Sequence, residues 1–196
     1  MASDSLWARS RQAAYAEITS VAMRLFLEQG FDQTTIDEIA ATAGISRRSF
    51  FRYFGTKEDI VLGDLAGQGE LARDALEAVP ISEGPWQALR TALEVVNALD
   101  VDPGVTLRIA TMMYETPSLR ARSIEKHLHW QELLVPNIRR RLGDREDDAA
   151  SPAADAIVAS AIACLDVAGE LWVRGNGTGS LADLYDEAVA AVRGAG

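Results

Sequence analysis

The spacing of apolar residues is the feature that most constrains how this chain can fold. Apolar side chains recur every three or four positions along almost the whole sequence, which is the period of an α-helix. No segment alternates apolar and polar residues for long enough to indicate a β-sheet. With 196 residues, 48% hydrophobic and 24% charged, the composition is globular rather than disordered. The sequence therefore predicts an all-α protein of about nine helices.

Glycine, proline and hydroxyl residues mark where these helices begin and end. The first helix ends at Gly30, and a short second helix begins at Thr35, which forms a capping-box pattern with Glu38. Gly44 ends the second helix, and Ser46 can cap a third one. Thr56 can cap a fourth helix. From there to the end of the chain, six helices are predicted over residues 57–79, 85–100, 105–115, 118–142, 153–174 and 181–193.

Localisation and cofactors are constrained mainly by what the sequence lacks. No apolar run approaches the roughly 20 residues of a membrane span, and the N-terminus has no signal-peptide centre, so a soluble cytoplasmic protein is expected. The single cysteine, Cys164, excludes a disulfide framework and a multi-thiolate metal site within one chain. We predict no metal and no cofactor.

Charge is unevenly distributed along the chain. The formal net charge is -10, but residues 1–60 carry seven basic and eight acidic side chains, against twelve and twenty-one in the remainder. Residues 44–57 contain four basic side chains and no acidic one. Because DNA responds to the field within a Debye length of about 10 Å, the overall acidity does not exclude a nucleic-acid partner.

The basic segment lies on two short helices joined by a four-residue turn, the size of a helix-turn-helix. Arg47 and Arg48 fall in the first turn of the third helix and Lys57 at the start of the fourth, where the helix dipole disfavours cations. A DNA phosphate bound there would satisfy both the side chains and the free N–H groups. The alternative is a solvated basic surface on which Glu58 and Asp59 compensate Lys57.

The stretch GFDQTTIDEIAATAGISRRSFFRYFGTKEDIV, with its Phe-x-Tyr-Phe-x-x-Lys ending, closely resembles the DNA-binding domain of TetR-family transcriptional regulators. The resemblance implies a helix-turn-helix domain over 1–56 and an effector-binding and dimerisation domain over 57–196. It implies a ligand-released repressor that binds a palindromic operator as a dimer, and no enzyme. The expected DNA contacts are Thr35, Ser46, Arg47, Arg48, Phe51, Arg52, Tyr53 and Lys57.

One departure from the family pattern concerns the recognition helix. Many members carry tyrosine where Phe51 and Arg52 stand, so a phenolic contact is lost here and a guanidinium gained. Arg48 and Arg52 are four residues apart on one helix face, and arginine suits bidentate contact with guanine, so we expect a G·C-reading contact in each half-site. Arg9 and Arg11 could form a short arm on DNA or belong to a disordered tail.

The same resemblance implies that helices four to seven enclose an effector pocket. The fourth helix, expected to run as a rod of about 30 Å from Lys57 to Leu76, would link that pocket to the DNA-binding helices. Tryptophan offers a large face and methionine adapts its shape, which suits an apolar cavity. The alternative is that these residues are plain core. The candidate lining residues are Trp86, Met112, Met113, Trp130 and Trp172.

Dimerisation through the eighth and ninth predicted helices is also implied. The apolar residues of 153–174 exceed one narrow stripe, so more than one neighbouring helix is expected, and a two-fold four-helix bundle follows. Glutamate at Ala161 or Leu165 should then disrupt the dimer. The alternative is a helix buried within a monomer. The apolar positions are Ile157, Val158, Ala161, Ile162, Leu165, Ala168 and Trp172.

Residues 107–130 are similar to regulators of the mycofactocin system, which implies an acyl-CoA-like effector. His127 and His129 are two residues apart and cannot both face inward, so surface or capping roles are expected for them. The arginines over 139–141 could pair with ligand phosphates, but basic residues in the last turn of a helix are also favoured by the dipole.

Enzyme chemistry has little support in this sequence. It contains no Glu-x-x-His pair for a di-metal bundle, no phosphate-binding glycine loop and no nucleophile elbow. Cys164 stands among alanine and isoleucine, as a small buried apolar group would. The second function class is a helical ligand-binding or scaffolding protein without DNA contact, against which the intact basic segment argues.

Overall fold

The computed structural model describes residues 2–63, 65–97, 103–143 and 152–194. All regular structure in these ranges is helical, which confirms the all-α prediction. The ten helices are α1 (Ala2–Gln29), α2 (Ile36–Thr42), α3 (Arg47–Tyr53), α4 (Glu58–Leu62), α5 (Leu65–Ala78), α6 (Pro85–Asn97), α7 (Pro103–Glu115), α8 (Pro117–Leu142), α9 (Pro152–Arg174) and α10 (Leu181–Val192).

The first of two compact units contains the residues up to Gly63 together with Thr111–Arg120. Its core joins the apolar stripe of α1 to the inner faces of α2 and α3, with Phe50 wholly buried. The Phe54 ring lies 5.5 Å from that of Phe50 and 4.6 Å from that of Tyr15. These aromatic contacts fix α3 against α1. The buried apolar residues include Ile18, Ala22, Leu25, Phe26, Ile39, Ala40, Phe50 and Phe54.

Side-chain caps set the boundaries of the short helices, as predicted. Thr35 Oγ1 accepts a hydrogen bond from the Glu38 N–H at 3.2 Å, and Ser46 Oγ accepts one from the Ser49 N–H at 3.1 Å. Thr56 and Asp59 exchange two bonds, N–H to side-chain oxygen in each direction, at 2.9 and 3.3 Å. The three hydroxyl oxygens each satisfy an amide in the first turn of a helix that has no backbone partner there. The fourth helix begins at Glu58, one residue later than predicted.

The single helix predicted over 57–79 is wrong, because Gly63 divides it into α4 and α5. Gly63 has φ of +66° and ψ of -157°, a conformation that a residue with a Cβ rarely adopts. No continuous rod of about 30 Å therefore runs from Lys57 to Leu76.

The second unit contains the remaining described residues and has its own core, to which α5, α6, α8, α9 and α10 contribute. The helix α9 is long and apolar enough to cross a membrane by length and composition, so the prediction that no apolar run has this length is wrong. Several of its apolar residues are instead buried in the core of this unit. They are Ala154, Val158, Ala161, Ile162, Cys164 and Ala168.

Candidate functional site

The exposed face of α3 carries the basic side chains of the helix-turn-helix. Phe50 on the opposite face is fully buried, whereas Phe51 remains 47% exposed beside it. The Phe51 ring is therefore open to contact on the same side of α3 as the arginines. The structure therefore brings four predicted groove-facing side chains to one accessible face, namely Arg47, Arg48, Phe51 and Arg52.

Arg47 is bound within the chain by Asp37 on α2. Its Nη1 lies 2.9 and 3.1 Å from the two carboxylate oxygens, and its guanidinium carbon is 5.8 Å from the centre of the Phe51 ring. Both charged side chains are exposed, so the pair joins α2 to α3 across the turn while remaining open to exchange. Residues 44–57 contain no acidic side chain, but Asp37, ten residues before Arg47, partly neutralises its charge.

Lys57 ties the loop between α1 and α2 to the start of α4. Its Nζ donates to the carbonyl oxygens of Phe31 at 2.8 Å and Thr34 at 3.2 Å, and lies 4.3 Å from the centre of the Phe31 ring. An ammonium has three donors, so one remains for a phosphate. Lys57 thus positions the loop before Thr35 as well as offering charge.

A concave surface of about 420 Å³ lies beside the recognition helix, between α1 and α3. Arg11, Gln12, Tyr15 and Tyr53 line it, and the Arg52 guanidinium carbon is 5.2 Å from the centre of the Tyr53 ring. Arg9 and Arg11 belong to α1, so the expectation of a separate arm or a disordered tail is wrong.

The predicted effector residues fall into both units. Trp86, Trp130 and Trp172 belong to the second, with Trp130 buried and the other two half-buried. Met112 and Met113 are half-buried on a segment that groups with the first. No described cavity gathers all five.

One described cavity of the second unit, of about 320 Å³, lies instead among α6, α9 and α10. Apolar side chains form most of its wall, and the Tyr185 hydroxyl is buried without a hydrogen-bond partner in the described residues. Burial raises the pKa of Tyr185 above its usual value. The lining residues are Arg90, Leu93, Glu94, Leu165, Ser180, Leu181, Ala182 and Tyr185.

A buried polar cluster on α8 and α9 was missed by the sequence analysis. His127 is 8% exposed, and its Nδ1 lies 3.1 Å from an Asp166 carboxylate oxygen, so the surface or capping role expected for it is wrong. The neighbouring Lys126 lies with its ammonium 4.6 Å from the centre of the Trp130 ring. His127 and Asp166 are 39 positions apart in the sequence, so no local pattern could indicate their contact.

The exposed face of α9 differs from the one that the sequence suggested for a dimer contact. Ala161 is wholly buried in the chain's own core, and Leu165 packs against that core, so neither tests a contact between subunits. Beyond Ser160, the exposed apolar residues of α9 instead recur every four positions. They are Ala163, Val167 and Leu171.

Both halves of the chain are similar to known protein families. The sequence model of "Bacterial regulatory proteins, tetR family" matches residues 18–63, and that of the "MftR C-terminal domain" matches residues 83–195. The putative mycofactocin biosynthesis transcriptional regulator MftR of Mycobacterium tuberculosis is 31% identical over 149 residues, 76% of this chain and 75% of that protein. The transcriptional regulator TcmR of Streptomyces glaucescens is 31% identical over 135 residues, 65% of this chain and 60% of that one.

The fold is also shared with solved structures. The TetR-family repressor FadR of Thermus thermophilus, crystallised with lauroyl-CoA, superposes with a TM-score of 0.58 over 91% of this chain and 93% of its own, at 24% identity. The relatives and this structural neighbour are transcriptional regulators, not enzymes.

Proposed function

Because the chain belongs to the TetR family of bacterial transcriptional regulators, we propose that it is a cytoplasmic repressor that binds a palindromic operator as a dimer and is released by an apolar effector. The observation that carries the proposal is the exposed face of α3. In this scheme residues 1–56 bind DNA, and residues 57–196 bind the effector and dimerise.

Base reading is assigned to Arg48, Arg52 and Phe51. Both arginines are exposed, and neither forms an ion pair among the described residues, in contrast to Arg47. A guanidinium can bond guanine O6 and N7 together, and an exposed phenyl ring can contact a thymine methyl group. Thr35, Ser46, Tyr53 and Lys57 surround this face and are assigned to backbone phosphates, which fix position rather than sequence.

Replacing Arg48 or Arg52 by alanine should relax base preference at defined operator positions, at a cost of about 1–3 kcal/mol each. The operator would first be selected from random duplex DNA with the wild-type protein. Affinities for single-base variants of that operator then give the preference at each position. Arg24→Ala, which removes an exposed arginine from α1, is the control. Unchanged preference in both α3 variants would contradict the assignment.

Removing the Asp37 carboxylate should strengthen DNA binding. Asp37→Asn releases Arg47 from its ion pair and removes a negative charge beside the recognition helix. One more cation available for phosphate should steepen the log–log salt dependence of binding by up to about 0.9. Fluorescence anisotropy at several KCl concentrations measures this slope. Glu28→Gln removes the same charge from an exposed position on α1 and should change the slope less; weaker binding by Asp37→Asn would refute the role given to Arg47.

Dimerisation is assigned to α9 and α10. A palindromic operator needs two recognition helices about 34–36 Å apart or a multiple of that, and one chain supplies one. The apolar residues that α9 exposes would be buried in an isologous contact, where each side chain meets the same helix of a second copy. The chain covers the apolar helix α9 only partly, and in this arrangement the second copy covers the rest.

The effector is assigned to the second unit. The neighbour from Thermus thermophilus was crystallised with lauroyl-CoA, which makes an acyl-CoA-like molecule a candidate class here. Such a ligand releases DNA only if it binds two conformations of the dimer with different affinities, typically by 1–3 kcal/mol. Since Gly63 interrupts the helix once expected to act as a rod, the glycine itself is a candidate hinge between α4 and α5.

A further inference from the structure

Lys126 is one of the few basic side chains that the second unit partly buries. The sequence contains 17 arginines and only two lysines, and the other lysine belongs to the first unit. The Lys126 side chain is half-buried on α8, with its ammonium over the face of Trp130 and one hydrogen bond, 3.3 Å long, to Gln68 Oε1 on α5. A lysine placed for solubility would extend into water instead.

The ammonium is poorly compensated for its burial. Burial lowers the pKa of Lys126 to about 8, although the Asp166 charge acts to raise it. The Asp166 carboxylate already bonds His127 Nδ1, and the direct partner of Lys126 is a neutral amide. Of the three N–H donors of an ammonium, the described residues engage one in a hydrogen bond. A partly buried ammonium with donors that the described residues do not engage gains from an anion placed beside it.

The helices around Lys126 are held closely together. A Cβ added to Gly69 would lie 2.8 Å from Trp130 Cδ1 and 2.9 Å from Leu133 Cδ1, so α5 approaches α8 where a larger residue could not. This contact fixes Gln68, the preceding residue, close to Lys126. One ammonium and one amide therefore lie beside the buried indole of Trp130. Such a set can bind an acidic group, while the indole can contact an apolar chain attached to that group.

We propose that Lys126 and Gln68 bind the carboxylate of an apolar monocarboxylic acid, so that the effector of this regulator is a free acid such as a fatty acid. The proposal rests on the proposed function, since it names the chemistry of the effector. The Gln68 amide can turn its NH₂ toward the second carboxylate oxygen. A single cation suits a monoanion, whereas the several phosphate charges of coenzyme A would need more cations than this cluster holds.

Binding of matched twelve-carbon probes tests the inference in the full-length protein. Dodecanoate, 1-dodecanol and lauroyl-CoA would each be titrated by calorimetry and assayed for release of the selected operator. We expect dodecanoate to bind at least about tenfold more tightly than the alcohol, corresponding to one desolvated charge contact of about 1.4 kcal/mol. Lys126→Met should abolish that preference, and Lys126→Arg should restore part of it.

An independent experiment measures the pKa of Lys126 in the wild-type chain by NMR. Reductive ¹³C-methylation labels only the two lysines and the terminal amine, and the Lys126→Arg spectrum assigns the Lys126 signal. Dodecanoate should raise the pKa read from that signal, because a carboxylate stabilises the charged form, whereas 1-dodecanol should not. This readout does not depend on whether a substituted protein folds.

The outcomes separate this inference from the proposed function. Equal binding of acid and alcohol, both releasing operator DNA, would overturn the carboxylate site and leave the apolar-effector repressor intact. Tighter binding of lauroyl-CoA than of dodecanoate would overturn the free acid in favour of the thioester. If no probe binds while the operator does, both the carboxylate site and the effector part of the proposed function are overturned, and the DNA-binding part stands.

Discussion

Replacing Val167 by glutamate should convert the proposed dimer into monomers and weaken operator binding by about a hundredfold or more, the range that linked binding sites typically contribute. Val167 is 48% exposed on α9, with Leu171 one turn further at 44%. In an isologous contact both copies would bury the new carboxylate beside the apolar side chains that α9 exposes. Because Val167 is exposed in the single chain, its replacement should leave the subunit folded.

A matched substitution distinguishes a contact surface from general damage. Leu71 on α5 is 47% exposed, so Leu71→Glu places the same charge on an equally exposed apolar position away from α9 and α10. Sedimentation velocity at micromolar concentration should show monomers for Val167→Glu and Leu171→Glu, and a dimer for Leu71→Glu. A dimeric Val167→Glu protein with full operator affinity would refute the assignment of α9.

The first unit follows the sequence closely, because its determinants are local. The caps at Thr35, Ser46 and Thr56 each act on an amide within three residues, and the stripe of α1 repeats within two turns. The buried Phe50 and exposed Phe51 follow from the same spacing. Where a signal and its effect lie within one helical turn, the sequence alone is sufficient.

Other features depend on contacts between distant segments. Asp37 is ten residues from Arg47, and Gln68 is 58 residues from Lys126. Neither contact can be predicted from the helical spacing of residues in the sequence. The exposed face of α9 is hidden for another reason. Its apolar residues surround the helix, so Ala161 and Val167 look alike in sequence although only the second is exposed.

Gly63 shows how a local signal can be outweighed by its surroundings. A single glycine inside a helical pattern costs about 1 kcal/mol, which a helix tolerates, so the sequence favoured one helix over 57–79. The structure uses the positive φ of Gly63 to end α4 instead. The proposed mechanical link between effector and DNA therefore changes from a rod to two helices, α4 and α5, with Gly63 at the end of the first.

The arginines at the end of α8 illustrate a role that neither sequence interpretation foresaw. The Arg141 guanidinium donates to the carbonyl oxygens of Leu76, Val79, Pro80 and Glu83, at 2.6–3.2 Å, and to Asn137 Oδ1 at 2.7 Å. Leu76 lies in the last turn of α5 and the other three residues follow that helix, so a side chain from α8 ties the end of α5 to the segment after it. The neighbouring Arg140 pairs with Glu77, and both of those side chains are about half exposed.

Arg141→Ala should therefore destabilise the second unit by about 2–4 kcal/mol, since it removes several charge-assisted bonds and leaves the part-buried carbonyl of Val79 without its donor. For a chain of this size that corresponds to a fall of roughly 5–15 °C in the melting temperature of this unit. Differential scanning calorimetry measures it. Arg140→Ala, one residue away, removes an exposed ion pair and should cost no more than about 1 kcal/mol. Equal losses from the two substitutions would mean that Arg141 acts as a surface charge and that the end of α5 is held by its apolar contacts alone.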